Sequence, residues 1–228
     1  MKKIIFILAL SLLFTNLYSQ IKIGIKAGMN ISNLQLASSG QTINQSSNAT
    51  DAPTKIPNNS SLSAPYFGFY SDFKINKKLV LQPEILYSSE GGNEKAGIYN
   101  ESPGSYNNRF LGYQNLPNHI NLIQVPLTLK YNVIDNFNLL FGPQFGFVIS
   151  HTKNSYPPKS SNFSIQLGGT YLLPKIPVEL EIKYALGLNK ITDPPKGNYN
   201  GYTYDNSEKL NVLQIGFGYI FKHNHLKK

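Results

Sequence analysis

"NVLQIGFGYIF", Asn211 to Phe221, sets Leu213, Ile215, Phe217, Tyr219 and Phe221 on one side of the chain and Gln214, Gly216, Gly218 and Ile220 on the other. A repeat of two is the mark of an extended strand with two unlike faces. In a sheet that meets water, the side away from the core carries bulky charged residues. Here that side is mostly glycine and glutamine. Such a strand suits a wall with hydrocarbon against its aromatic face and little room behind the other.

The pattern recurs along the chain. Ile21, Ile23, Ile25, Ala27, Met29 and Ile31 alternate with Lys22, Gly24, Lys26, Gly28 and Asn30. "PYFGFYSDFKI", "LVLQPEILYS", "NLIQVPLTLKYNV", "FNLLFGPQFGFVI", "FSIQLGGTYLL" and "VELEIKYALGL" repeat it, which with the C-terminal stretch makes eight predicted strands. Each runs for roughly 10–13 residues, long against the usual 5–6 of a soluble strand and suited to crossing a bilayer at a tilt.

The connections alternate as well. "NKK", "IDN" and "PKIP" are tight, whereas about 32–64, 90–118, 150–161 and 189–209 are long. Tight periplasmic turns and extended outer loops are the habit of outer-membrane barrels. The fold class predicted is all-β, an eight-stranded antiparallel up-and-down transmembrane barrel. A lumen of eight strands is only just wide enough for side chains, so small and polar residues face inward. A soluble barrel of the lipocalin kind has the opposite polarity, apolar inside.

Composition agrees. Only 14% of residues are charged, against about 25% in an ordinary soluble domain. The chain has no cysteine, which excludes disulfides, zinc–thiolate sites, thiol catalysis and a lipoprotein anchor. "MKK" followed by the apolar run Ile4–Phe14 is too short for a spanning helix and is built like a secretory signal. With Ser19 before the cut, residues 1–19 are the predicted signal peptide, 20–221 the barrel and 222–228, "KHNHLKK", a basic periplasmic tail. The net charge of +9 forms no basic stripe interleaved with aromatics, which argues against nucleic acid as a partner. Outer-membrane lipid and lipopolysaccharide are the expected surroundings, with other outer-membrane or periplasmic proteins as candidate partners.

Two features strain the pattern. Pro83, Pro126 and Pro143 fall inside predicted strands and each removes a ladder donor, for which local bulges are expected. The tail also departs from the aromatic ending common among outer-membrane barrels.

"GIKAGMNIS", "LQPEILYSSEGG", "VPLTLKYNV" and "LLFGPQFGF" resemble, in order and spacing, the motifs of the PorT-like outer-membrane β-barrel family abundant in Bacteroidetes. The resemblance covers essentially the whole mature chain. It implies an eight-stranded outer-membrane barrel and no single activity, although the namesake type takes part in protein secretion.

The alternation places Lys26, Asp72, Glu84, Lys130, Glu181 and Lys183 inside as a lumenal polar cluster. Charges at membrane depth serve as ion paths. Both signs in so narrow a lumen favour a self-compensating plug, with Glu84 and Lys130 as the first candidate pair. Phe73, Tyr131, Phe137, Tyr171, Tyr219 and Phe221 fall near periplasmic strand ends, where an aromatic girdle belongs. Tyr99, Tyr106, Arg109, Phe110 and Tyr113 populate the second long loop as a contact surface, tyrosine and arginine being favoured in binding sites. A loop folding over its own rim would use the same residues.

No cofactor or metal is called for. The histidines are His119, His151, His223 and His225, and no Gly-x-Ser-x-Gly, His-Glu-x-x-His or phosphate loop occurs. The reading is a non-enzymatic barrel with a filled lumen, a structural or accessory subunit of an envelope complex. A surface adhesin or ligand-binding barrel working through its loops is the alternative, followed by a narrow channel and a lipid-modifying enzyme.

Overall fold

The computed structural model describes residues 21–36, 60–100, 109–152, 157–193, 197–199, 202–204 and 207–221. The predicted signal peptide, most of the first long loop, Tyr106 and the 222–228 tail, with His223 and His225, lie outside the described residues.

Eight strands close into a barrel: β1 (Ile21–Leu36), β2 (Leu62–Lys74), β3 (Leu79–Asn100), β4 (Arg109–Ile134), β5 (Phe137–His151), β6 (Ser161–Leu172), β7 (Val178–Gly187) and β10 (Glu208–Ile220). Neighbours pair antiparallel around the ring, and β1 closes on β10 with Gly28 opposite Gly216. Closure gives each spanning strand a partner on both sides, the condition for placing a sheet in hydrocarbon. Between β7 and β10 a further pair, β8 (Gly197–Tyr199) and β9 (Tyr202–Tyr204), forms a separate two-stranded sheet. Three-residue strands carry too little alternation to be seen in sequence.

The tight turns have local causes. Asn76 Oδ1 accepts from the amides of Lys78 (2.8 Å) and Leu79 (3.0 Å), an Asx turn that reverses β2 into β3. Asn136, between β4 and β5, takes φ 66°, a left-handed conformation that asparagine tolerates better than most residues. These turns share one end of the barrel, the predicted periplasmic end, with the start of β1 and the end of β10.

The second long loop is mostly strand. β3 and β4 are 22 and 26 residues long, and pairing continues from Gly91 opposite His119 to Asn100 opposite Arg109, with a register shift at Ile98/Tyr99. At about 3.3 Å per residue, tilted some 40°, an apolar band about 25 Å tall takes roughly ten residues. The β3–β4 hairpin therefore runs well past the length a bilayer would require. The alternation could not extend into "EGGNEKAG" because glycine and charge replace the outward apolar residues there.

The three prolines predicted inside strands do not cause bulges. Register is the same on both sides of Pro83 and Pro126, with Pro83 opposite Leu127 and Pro126 opposite Gln144. The ladder lapses for two residues beside them and then resumes, while the register shifts fall at Asn121/Leu122, Asn132/Ile134 and Ile98/Tyr99. The missing donors are absorbed without inserting a residue.

The outer wall is apolar: Phe69, Ile85, Phe141, Leu167 and Ile182 are among many large side chains pointing away from the lumen. Inside, the chemistry changes along the axis. Charged residues fill the periplasmic half and amides the middle. The outer end carries an apolar cluster of Leu34, Ile120, Leu122, Ala185, Ile191, Leu210 and Val212. That cluster departs from the expected small and polar lumen. It lies where loop residue Ile191 turns into the mouth, and loop residues carry no alternation to read.

Candidate functional site

The six residues of the predicted lumenal cluster come together, joined by Glu179. Lys26 Nζ lies 2.8 Å from Glu181 and 3.1 Å from Glu84. Lys183 Nζ lies 3.0 Å from Glu181 and 3.3 Å from Glu84, so two lysines and two glutamates alternate in one four-membered network. Toward the periplasm, Lys130 Nζ sits 2.7 Å from Glu179 and 3.5 Å from Asp72. Tyr70 links the two groups, its ring centroid 5.0 Å from Lys26 Nζ and 5.6 Å from Lys130 Nζ, within cation–π range.

Glu84 and Lys130 do not pair with each other. Register sets Lys130 opposite Val80, four residues along β3 from Glu84, so each carboxylate and ammonium finds partners across the lumen instead. Lys22 and Lys74, on the inward parity, are exposed at the periplasmic mouth. Thr128 Oγ1 donates to Glu84 (3.2 Å) and Gln82 Nε2 to Asp72 (2.7 Å), which fills remaining carboxylate lone pairs. Buried charges are tolerated on these terms, paired and hydrogen-bonded.

A second layer lies above. Gln214 Nε2 donates to Asn30 Oδ1 (2.9 Å), Asn30 Nδ2 to Ser88 Oγ (2.9 Å), and Ser88 Oγ to Glu90 Oε1 (2.7 Å). Gln124 Nε2 reaches the same Glu90 oxygen at 2.5 Å. The sequence analysis places Glu90 at the start of a long loop. Its even parity with Gln82, Glu84, Leu86 and Ser88 was the available signal.

Of the predicted girdle, Tyr131, Tyr171, Tyr219 and Phe221 are exposed on the outer wall, and Phe73 and Phe137 are half-buried there. Phe137 pairs with Tyr171 across β5 and β6, and the Tyr219 and Phe221 rings meet edge-on at 5.7 Å. The predicted loop surface changes character: Tyr99 is in β3, and Arg109, Phe110 and Tyr113 are in β4, with Tyr99 opposite Phe110. His119 and His151 flank the outer rim. His119 Nδ1 is 3.4 Å from Ser89 Oγ, and His151 Nδ1 is 3.0 Å from the Thr152 carbonyl.

A closed eight-stranded β wall, apolar outside, matches a known family. The family model described as an outer membrane protein beta-barrel domain matches residues 15–193. The chain belongs to that family. It is a protein of the cell outer membrane.

Solved outer-membrane proteins match the chain at low identity and low TM-score. Ail, the attachment invasion locus protein of Yersinia pestis, is 10% identical, with 88% of this chain and 98% of Ail covered at a TM-score of 0.40. Neisserial surface protein A is 10% identical over 88% of this chain and 97% of that one, at 0.41. AlkL is 14% identical over 90% and 93%, at 0.40. No curated protein matches the chain in sequence.

Proposed function

We propose that this outer-membrane barrel is a non-enzymatic accessory subunit of an envelope complex, presenting its β3–β4 hairpin to a partner. The observation that carries the reading is the length of that hairpin. Its strands run far past the roughly ten residues a bilayer requires. They hold Ile98 and Leu111 exposed, 39% and 59%, on a part of the protein that lipid does not cover. Apolar side chains held out on a built projection fit a protein contact. The lumen, locked by ion pairs and capped by an apolar cluster, fits an anchor better than a conduit. The PorT-like motifs of the sequence favour a secretion or assembly machine as the process.

The same hairpin supports a second reading, a surface adhesin or ligand-binding barrel. Affinity purification of the tagged protein from native outer membrane in mild detergent separates the two. Stoichiometric envelope partners that are lost on Ile98→Ala/Leu111→Ala support the accessory role. A barrel that purifies alone, with or without those substitutions, overturns it and leaves the adhesin reading for ligand screening.

A further inference from the structure

Asp72, Glu84, Glu179 and Glu181 each face a lysine ammonium, whereas Glu90 faces none among the described residues. Glu90 is fully buried. Its Oε1 accepts two hydrogen bonds, from Ser88 and Gln124, while its Oε2 accepts none. An ionised carboxylate in such a place is prohibitively costly unless something compensates it. Ile120 lies directly opposite Glu90 on β4 and Leu122 opposite Ser88, so buried apolar side chains border the carboxylate. Counting the lumenal charges of the described residues, the carboxylates Asp72, Glu84, Glu90, Glu179 and Glu181 outnumber the ammoniums Lys26, Lys130 and Lys183.

The surroundings of Glu90 are rich in oxygen. Gln124 Oε1, Gln144 Oε1, Asn162 Oδ1 and Gln214 Oε1 are buried and also accept no hydrogen bond. Gln124 sits opposite Gly146, whose neighbour on the other side is Asn162, and Gln144 is next inward on the same strand. Gln124, Gln144 and Asn162 therefore share one stretch of the β4–β6 wall, which meets Glu90 through Gln124, while Gln214 on β10 reaches it through Asn30 and Ser88. Each orphaned acceptor in a folded protein calls for a donor or an ion.

We propose that Glu90 is the anionic ligand of a monovalent cation, of the K⁺ or Na⁺ kind, held in the lumen with the Gln124 amide oxygen beside it. A proton on Glu90 would cancel its charge but bring one hydrogen to several waiting acceptors. Water would bring hydrogens and no charge. A hard cation answers both needs, and an all-oxygen ligand set is the kind it selects. One carboxylate among neutral amides fits a single positive charge, because calcium draws on six to eight oxygens with several carboxylates. The cation would lock β3 to β4 at the base of the projecting hairpin.

The test uses the full barrel crystallised in detergent with Tl⁺, which scatters anomalously and stands in for K⁺. The expected result is an anomalous peak within coordination distance of the Glu90 carboxylate, lost in Glu90→Gln. In parallel, the urea midpoint of wild-type protein is expected to be higher in K⁺ than in choline at equal ionic strength, and Glu90→Gln is expected to show no difference. Ordinary water density without an anomalous signal overturns the proposal. So does a peak that persists in Glu90→Gln, or a wild-type midpoint indifferent to the cation. Should Glu90→Gln fail to fold, the wild-type crystal and the wild-type K⁺–choline comparison decide the matter alone.

Discussion

The Tyr66 hydroxyl lies against Gly216, two strands away. Tyr66 is opposite Gly28 on β1, and Gly28 is opposite Gly216 on β10, so one buried tyrosine spans a path that two glycines leave clear. Tyr70 packs its ring over Gly24, directly opposite it, and brings its hydroxyl toward Gly218, which register sets opposite Lys26. The bare inner face of the C-terminal strand is thus the seat of two aromatic rings carried by β2.

A side chain at these glycines has unequal consequences. A Cβ at Gly216 would meet the Tyr66 hydroxyl and also the Ala27 carbonyl oxygen, at 2.5 Å, and the backbone cannot yield as a ring can. At Gly218 the three nearest atoms a Cβ would meet all belong to the Tyr70 side chain, its hydroxyl at 3.1 Å and ring carbons at 3.2 and 3.4 Å. Gly216→Ala is therefore expected to cost about 1–3 kcal/mol, the range for overpacking, and Gly218→Ala clearly less. Adding Tyr66→Phe to Gly216→Ala should recover only the part due to the hydroxyl. Urea unfolding in micelles measures the series, and equal costs at the two glycines would refute this account of the wall.

Lys183 is fully buried between Glu84 and Glu181. Lys183→Met leaves two carboxylates with Lys26 alone between them. Removing one partner from a buried network typically costs about 3–5 kcal/mol, because the remaining charge stays desolvated. Lys183→Met/Glu181→Gln should be the more stable of the two variants despite carrying one more substitution. A double variant no better than the single would mean that these charges reach water.

The apolar cluster at the outer mouth responds to volume rather than charge. Leu122 is fully buried there with Ile120, Leu210 and Val212. Leu122→Ala is expected to cost about 2–5 kcal/mol, as large-to-small changes in packed cores do. Leu111→Ala, on the exposed hairpin, should change little. A negligible effect at Leu122, read from the same urea curves, would show the mouth to be open and wet.

How far the sequence alone could reach follows from what fixes each feature. Strand number, facing and the membership of the ion-pair network follow from a parity of two that lipid on one side enforces without exception from Ile21 to Ile31 or from Val178 to Leu188. Glu84 and Lys130 do not pair as expected because parity says which face a residue takes and nothing about its height, which depends on register across the lumen. Glu90, Ile191 and the β3–β4 extension were missed for a related reason. Above the membrane, no lipid demands an apolar outer face, so Glu94, Lys95 and Gly97 can continue a strand without its usual signature.

The outward face of β5 gives the most direct test of the membrane itself. Phe141 is 55% exposed, opposite Leu129 on β4 and Leu167 on β6, about midway along the spanning part of its strand. In water, arginine in place of an exposed phenylalanine would be neutral or helpful. At the middle of a bilayer it costs about 2–4 kcal/mol, falling toward zero at the interface. Phe141→Arg is therefore expected to destabilise the barrel by that amount in phospholipid bilayers, and Ile98→Arg on the hairpin to leave it unchanged. The sign of the Phe141 effect carries the information. A loss confined to Phe141 places β5 in lipid at that depth, whereas equal and negligible effects at both positions would mean that the aromatic wall faces something other than hydrocarbon.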